Sequence, residues 1–439
     1  MRDAVVVGGG IAGLSAAWAL RDRDVVLLEA SDRLGGRIRS DRRGAYWLNF
    51  GAHVFAGPGS ATDRLLREVG VEAVPIPGVL TALELDGRIV SRGRVETYPL
   101  RLPLTWRDRL AFARVGVRLR IGVARYDRLL RASNRGQTLA FEGDRTFAEW
   151  LGPVPPAVDA ILRPTIQRSS GEPEDVAAGY GIGYFHLVWD RSGGLARGIL
   201  GGPGALVDAV ASQLGSRTRT LVPVREVVQD ADGVRVIHDH GEERACQVIL
   251  ATPAHVSHEI ARDLPADTRE SLAGISYGRY VVASFLTGES GPTPWDRVYA
   301  IATARRSFNM LFNMASVLRC PGLARERGGS LMAYSGARLA EALWDEKDAT
   351  VRDTYLADLD AVLPGALQLV QEVVVHRWSP GLPYVRPGRH RLQPALERPL
   401  GRVHLAGDYL GTRYTDTAIA TGTAAAATVR TLLRPGSDP

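Results

Sequence analysis

Asp3-Ala4-Val5-Val6-Val7, Gly8-Gly9-Gly10-Ile11-Ala12-Gly13, Leu14 to Leu20 and Val25-Val26-Leu27-Leu28-Glu29 follow one another at the start of the chain. An apolar strand, a glycine turn, a small-residue helix and a second strand ending in an acid make the unit that binds the adenosine half of a dinucleotide. Gly8 permits the tight turn, Gly10 lets backbone approach a pyrophosphate, and Gly13 lets helix pack closely on strand. The helix opening at Ile11 and Ala12 aims unpaired N–H groups at the phosphates. Glu29, at the end of the second strand and followed by Ala30, suits the ribose hydroxyls and repels a 2′-phosphate, which argues against NADP. A lone GxGxxG among 48 glycines would be weak. The strand before it, the helix after it and the acid at the right spacing make it specific. A signal peptide does not fit, because Met1-Arg2-Asp3 is nearly neutral and no cleavage pattern ends the apolar run.

The chain has 439 residues, 45% of them hydrophobic, enough for two domains with cores of their own. No apolar run approaches the roughly 20 residues of a membrane span. Two cysteines, Cys246 and Cys320, give neither a CxxC nor a metal spacing. A cytoplasmic location and no metal are the resulting expectations. The net charge of +6 is concentrated between Arg107 and Arg131, where eight arginines face Asp108 and Asp127. Arg107, Arg114, Arg118 and Arg125 fall on one helical face, with Leu110, Val117, Ile121 and Ala124 among the apolar positions elsewhere. Such a helix could contact a membrane peripherally or meet an acidic ligand. A solvated face is the simpler account in a chain whose only lysine is Lys347. No nucleic-acid motif accompanies the charge.

Beyond the opening unit come Arg33-Leu34-Gly35-Gly36-Arg37, a strand-like Ala45 to Asn49 and a loop Phe50-Gly51-Ala52-His53. Pro-rich turns, the basic helix and a helix near Thr146 to Leu151 then break the pattern. Gly201-Gly202-Pro203-Gly204-Ala205-Leu206 opens another helix, and Leu221 to Val228, Val234 to Asp239 and Val248 to Pro253 read as strands. After a second excursion starting at Arg279 to Leu286, the chain returns with Val403 to Asp408 and a small-residue helix predicted from Thr417 to Leu432. The tail beyond Leu433 reads as frayed.

Four of these stretches, taken in order, resemble the flavin-containing superfamily of amine oxidases, protoporphyrinogen oxidases and carotenoid or squalene desaturases. They are the GxGxxG to Glu29 unit, Leu34-Gly35-Gly36-Arg37, Gly201 to Leu206, and Leu405-Ala406-Gly407-Asp408 followed by Thr417-Ala418-Ile419-Ala420-Thr421-Gly422. The resemblance implies an α/β fold: a Rossmann-like FAD-binding domain of GR2 type, with a parallel sheet and β-meander, plus an inserted α+β substrate domain. The FAD-binding parts are expected at 1–75, 196–285 and 387–439, and the substrate domain at 76–195 and 286–386. It also implies site residues. Arg37, after Gly36, would neutralise the FAD pyrophosphate. Val224 would lie on the strand at the adenine, and Asp408, after Gly407, would accept from a ribitol hydroxyl. Thr417 and Ala418 would open a helix that stabilises charge on the reduced flavin. Gly51, Ala52 and His53 fall where the family runs its chain beside the flavin ring.

Departures from the family bear on the reaction. Ser31 follows Glu29-Ala30 where an arginine is frequent, so one polar contact to the cofactor is expected to be missing. Gly278-Arg279-Tyr280-Val281-Val282-Ala283 carries no lysine where amine oxidases hold one near flavin N5. Tyr414 supplies one of two expected aromatics and Gly381 stands at the other. No cysteine lies between 378 and 422, so FAD is expected to be non-covalent. His53 is the candidate proton acceptor, since histidine titrates near neutral pH, and Tyr414 the candidate substrate-facing ring. The expected activity is FAD-dependent removal of a hydride from a C–H bond of an apolar small-molecule substrate, by desaturation or by amine- or porphyrinogen-type oxidation. The alternative is an isomerase like UDP-galactopyranose mutase, suggested by Gly51 to Phe55, Tyr98-Pro99-Leu100 and the arginines. A flavoprotein subunit that has lost catalysis is a third.

Overall fold

Residues 1–77, 82–132, 135–189, 195–320, 322–411 and 414–433 are described by a computed structural model of the chain. The tail expected to fray lies outside them. Ala4 to Val7 and Val25 to Leu28 are buried on both faces, as continuous apolar runs in a parallel sheet must be. Arg2–Val7 pairs in parallel with Val25–Leu28 on one side and with Gly241–Leu250 on the other. Thr218–Arg219 and Val403–Leu405 extend the parallel part, while Val224–Gln229 and Val234–His238 form an antiparallel meander on Gly241–Leu250. The result is one seven-stranded sheet with the expected Rossmann-like plan.

Helix Ile11–Ala19 is buried nearly all round because helices Tyr414–Leu432, Gly204–Leu214 and Ala61–Val69 crowd one face of this sheet. Gly422 allows the closest approach: a Cβ there would stand 2.1 Å from the Ala12 carbonyl oxygen. Helices Ala254–Ile260 and Ala266–Ala273 cover the other face.

A second seven-stranded sheet runs in the order Val370–Trp378, Tyr280–Thr287, Gly329–Gly336, Met310–Asn313, Ala300–Thr303, Ala82–Leu85 and Arg88–Val90. Tyr280–Thr287 is paired on both sides within it, so the expected boundary between 285 and 286 falls inside a strand. A helical layer built from Trp106–Arg131, Phe147–Leu151, Pro156–Gln167 and Ala178–Trp189 has its own core. Thr105 caps the first of these helices and a Thr146/Glu149 capping box starts the second.

The basic helix is a single 26-residue element whose buried face is Val115, Leu119, Gly122, Val123 and Tyr126. Leu110, Val117 and Ile121 are instead 44%, 63% and 52% exposed, and Ala124 is exposed with them. They sit among the arginines on the outer face rather than opposite them. No helix among the described residues is long and apolar enough to cross a membrane.

Candidate functional site

The turn at Gly8 to Gly13 is shaped by contacts that a side chain would destroy. A Cβ on Gly8 (φ +104°) would meet the Ala251 carbonyl at 2.8 Å, and one on Gly13 would stand 1.9 Å from the Gly8 carbonyl oxygen. Gly10 differs, since a Cβ there would meet nothing within 4 Å. Above it lies open space at the start of helix Ile11–Ala19, whose N-cap has no side-chain partner. The helices starting after Ser60, Thr105 and Thr146 are capped by those hydroxyls. An uncapped amide terminus beside open space fits a dinucleotide pyrophosphate.

Gly9, outside the usual motif positions, donates its N–H to Glu29 Oε2 at 2.6 Å. Glu29 Oε1 accepts from the Ser31 amide and hydroxyl at 2.8 and 2.7 Å. Ser31 thus fixes the carboxylate instead of reaching outward as an arginine would. Leu221 and Val222 donate backbone N–H groups to the carbonyls of Ser31 and Glu29, which puts the approach to Val224 beside the expected ribose. Ala30 is exposed at the same edge.

Three distant segments meet at Arg37. Its Nη1 donates to the Gly381 carbonyl at 2.7 Å and its Nη2 to Asp408 Oδ1 at 3.0 Å. Gly36 packs its Cα region against Gly10, where a Cβ would lie 3.2 Å from Gly10 Cα. Gly407 N–H donates to Thr421 Oγ1 at 3.0 Å, holding Asp408 against the final helix. That helix starts at Tyr414, three residues before the expected Thr417, so Thr417 and Ala418 are buried within it and the amides of Tyr414 to Asp416 form its opening turn. Tyr414 has a φ of +49°, a conformation that gives no helix-start signal in sequence. Asp416 Oδ1 accepts from the Thr62 amide and hydroxyl, both at 2.9 Å, locking this turn to helix Ala61–Val69.

Gly51 is fixed by proximity as well: its Cβ would fall 1.9 Å from the Arg37 carbonyl oxygen, and Ala52 N–H donates to that same carbonyl. His53 follows, with Nδ1 2.9 Å from the Gly51 carbonyl and its ring 4.3 Å from Phe312. Burial pushes the imidazole down to about 4, the Gly51 carbonyl opposes this, and the charge of Arg168 adds to it. The expectation of a histidine titrating near neutral pH is therefore corrected. His53 is a neutral ring that donates from Nδ1 and presents Nε2 as an acceptor.

Around His53 stands a cluster of which the sequence marked only Tyr414: Arg168, Tyr180, Tyr184, Tyr280, Tyr299, Phe312, Tyr334 and Tyr414. Tyr180 and Tyr184 meet edge to face at 5.3 Å, and Tyr184 meets Tyr414 at 5.8 Å. Tyr280 meets Tyr334 at 5.4 Å, and Tyr334 stacks on Phe312 at 5.7 Å. Tyr280 occupies the space beside Gly381, whose Cβ would lie 2.7 Å from the Tyr280 ring, so the glycine at the second aromatic position makes room for a tyrosine from a strand. Desolvation holds the phenols of Tyr184, Tyr280, Tyr299 and Tyr414 well above their ordinary range. Burial works against the charge of Arg168, but the neighbouring Tyr334, Tyr184 and Tyr414 phenols hold its pKa above the ordinary arginine range. His53, Arg168, Tyr334 and Tyr414 keep some exposed surface, while Tyr180, Tyr184, Tyr280 and Tyr299 are buried. The signal in sequence was slight: Tyr180 and Tyr184 at helical spacing.

Other expected features fall elsewhere. Tyr98 is buried with Leu83, Leu102, Leu104 and Ile161, away from His53, so the Tyr98-Pro99-Leu100 stretch adds nothing to an isomerase site. Arg279 stacks over Trp344 and pairs with Glu341. No metal-binding group of histidine, cysteine, aspartate or glutamate occurs among the described residues.

Comparison with known proteins agrees with this geometry. The family model of flavin containing amine oxidoreductases matches residues 11–430. The probable flavin-containing monoamine oxidase A of Dictyostelium discoideum is 22% identical over 92% of this chain and 91% of its own. Two solved structures share the fold. Putrescine oxidase bound to putrescine superposes with a TM-score of 0.78 at 22% identity, covering 98% of this chain and 99% of the other. Cyclohexylamine oxidase from Brevibacterium oxydans gives 0.79 at 20% identity, covering 99% of this chain and 100% of the other. The isomerase alternative gains no support from these relatives. The chain belongs to the flavin containing amine oxidoreductases and is an FAD-dependent oxidoreductase that binds its flavin non-covalently.

Proposed function

We propose that the chain oxidises a C–H bond beside nitrogen in an uncharged amine held at the tyrosine cluster, with FAD held by the residues already described. Gly8 to Gly13 would take the pyrophosphate, Glu29 the ribose, the backbone near Val224 the adenine, and Arg37 and Asp408 the phosphate and ribitol side. Gly51 to His53 and the amides opening the final helix would flank the ring. Bound flavin supplies the hydride acceptor.

One observation carries this reading: among the described residues around His53, Arg168 is the charged group near neutral pH. A cation in a poorly solvated site disfavours an ammonium and favours the free base. His53 Nε2 and the tyrosine hydroxyls can then orient the amine nitrogen without acting as bases. A hydrocarbon chain fits less well, because it offers no hydrogen bond to the Arg168 guanidinium or to the Tyr334 and Tyr414 hydroxyls, which keep exposed surface. With a small amine, kcat/KM is expected to rise about tenfold per pH unit up to the amine's own ionisation. His53→Asn should lower the rate without moving that limb. A bell-shaped profile whose acid limb disappears in His53→Asn would contradict the proposal.

We also propose that helix Trp106–Arg131 docks on an anionic bilayer. Trp106, Leu110, Val117 and Ile121 are 70%, 44%, 63% and 52% exposed, and recur at spacings of four, seven and four along one stripe. Arg107, Arg114 and Arg125 flank that stripe on one side and Arg120 and Arg131 on the other. Sedimentation with phosphatidylcholine vesicles containing phosphatidylglycerol should pull the protein down at low salt, and Val117→Glu with Ile121→Glu should reduce binding about tenfold or more. Equal sedimentation with neutral vesicles, or binding unchanged in the double variant, would overturn it.

A further inference from the structure

We infer that the cavity between helices Trp106–Arg131 and Phe147–Leu151 binds the phosphomonoester headgroup of an anionic lipid. This rests on the reading that the basic helix docks on a bilayer, and it names the lipid that the docked helix selects.

The cavity has a volume of about 210 Å³ and opens on the arginine-bearing flank of the basic helix. Its floor is aromatic. Trp150 is buried there, and Gly122 lets the ring come close, since a Cβ on Gly122 would lie 3.1 Å from it. Phe141 and Ile121 add an apolar wall. Arg118, Arg125 and Arg145 complete the lining with a single acid, Glu142. That acid is already engaged, its Oε2 accepting from Arg145 Nε at 3.0 Å and from Arg145 Nη2 at 2.7 Å. Arg118 and Arg125 have no carboxylate within ion-pair distance among the described residues. Two unmatched cations therefore stand over an aromatic floor.

Arg118 is held in place. Its guanidinium lies 5.0 Å from the centre of the Trp150 ring and its Nη1 donates to the Leu151 carbonyl at 3.1 Å, which leaves its other N–H groups for a ligand. Arg125, two turns further along the same helix, is exposed at the other end of the cavity. Guanidinium forks receive phosphate oxygens in pairs. A phosphomonoester carries a charge of about −1.5 to −2 at neutral pH, whereas a phosphodiester carries a single charge. Two unmatched guanidiniums balance the first and exceed the second.

Ile121 identifies the source of the phosphate. It belongs both to the cavity wall and to the exposed apolar stripe that runs through Trp106, Leu110 and Val117. A phosphate seated at the arginines would lead its acyl chains out along that stripe. A soluble phosphomonoester would gain nothing from the apolar rim.

The test is vesicle sedimentation of FAD-loaded protein at low salt. Phosphatidylcholine vesicles carry either phosphatidic acid, a phosphomonoester, or phosphatidylglycerol, a phosphodiester, in fractions adjusted to equal surface charge. Wild-type protein should bind the phosphatidic acid vesicles about fivefold more tightly or better. Arg125→Gln removes an exposed side chain that has no ion-pair partner, so the fold is not at stake; alone it should reduce the preference, and with Arg118→Gln it should abolish it. Arg107→Gln with Arg114→Gln changes the same flank outside the cavity, and should weaken binding to both vesicles while keeping the preference. Equal affinity of the wild type for the two vesicles, or a preference that survives in Arg118→Gln with Arg125→Gln, would overturn the inference and leave the docking of the helix intact. If neither vesicle sediments with the protein, yet glycerol 3-phosphate titrates calorimetrically with the wild type and not with that double variant, the cavity takes a soluble phosphomonoester, and both the lipid assignment and the bilayer reading fail.

Discussion

Replacing Gly10 with valine is expected to give a folded protein that purifies without flavin. Gly10 has φ −68° and ψ 174°, an extended conformation any residue adopts, and its Cβ would touch no protein atom within 4 Å. The fold therefore loses nothing when a side chain is added. The added atoms fill the open space over the uncapped helix at Ile11, where a pyrophosphate must come close to backbone. The FAD-to-protein ratio should fall to about a tenth of wild type or less, while the melting temperature stays near that of the flavin-stripped parent. Gly13→Val should behave differently, because its Cβ would collide with the Gly8 carbonyl at 1.9 Å and the turn itself would have to open. A Gly10 variant that keeps stoichiometric FAD would mean that the cofactor does not pass over this turn.

Arg37→Ala should have the second largest effect, on both stability and flavin content. The substitution leaves the Asp408 carboxylate, itself 8% exposed, without its cation, and the Gly381 carbonyl without a donor. Orphaning a fully buried charge costs about 3–5 kcal/mol. Arg37 is 30% exposed at its side chain, so solvent reduces this to about 2–3 kcal/mol. The loss should appear as a clear drop in the midpoint of chemical unfolding. Adding Asp408→Asn removes the orphan charge and should recover part of the stability, but not the flavin, since the positive charge opposite the diphosphate is still missing. If the double variant is less stable than Arg37→Ala alone, the two residues do not act as a pair.

The cofactor half was legible in sequence because its constraints are local. A glycine that needs φ above zero, a glycine against a carbonyl and an acid closing a strand all show themselves within thirty residues. Gly9 escaped because its role, an N–H donated to Glu29, depends on where the second strand brings the acid. The start of the final helix escaped because Tyr414 with positive φ resembles no cap. The position of His53 beside Gly51 is legible, but its titration is not, since burial against Tyr299 and Phe312 leaves no trace near residue 53. Apart from Tyr414 and the Tyr180/Tyr184 spacing, the tyrosine cluster left no trace in sequence for the same reason. Its members come from a helix end, a helix, several strands and the final helix, and only tertiary packing makes them neighbours. Leu110, Val117 and Ile121 were noted as the apolar positions of an amphipathic helix, yet packing buried the opposite side.

Anaerobic flavin reduction tests the central claim most directly. FAD-loaded protein mixed with a panel of amines and amino acids, at a pH where the free base is abundant, should lose its visible flavin absorption with at least one compound. The rate should saturate with concentration. Flavin bands that persist with every amine and amino acid, yet bleach with dithionite, would contradict the assignment of amine oxidation to this site.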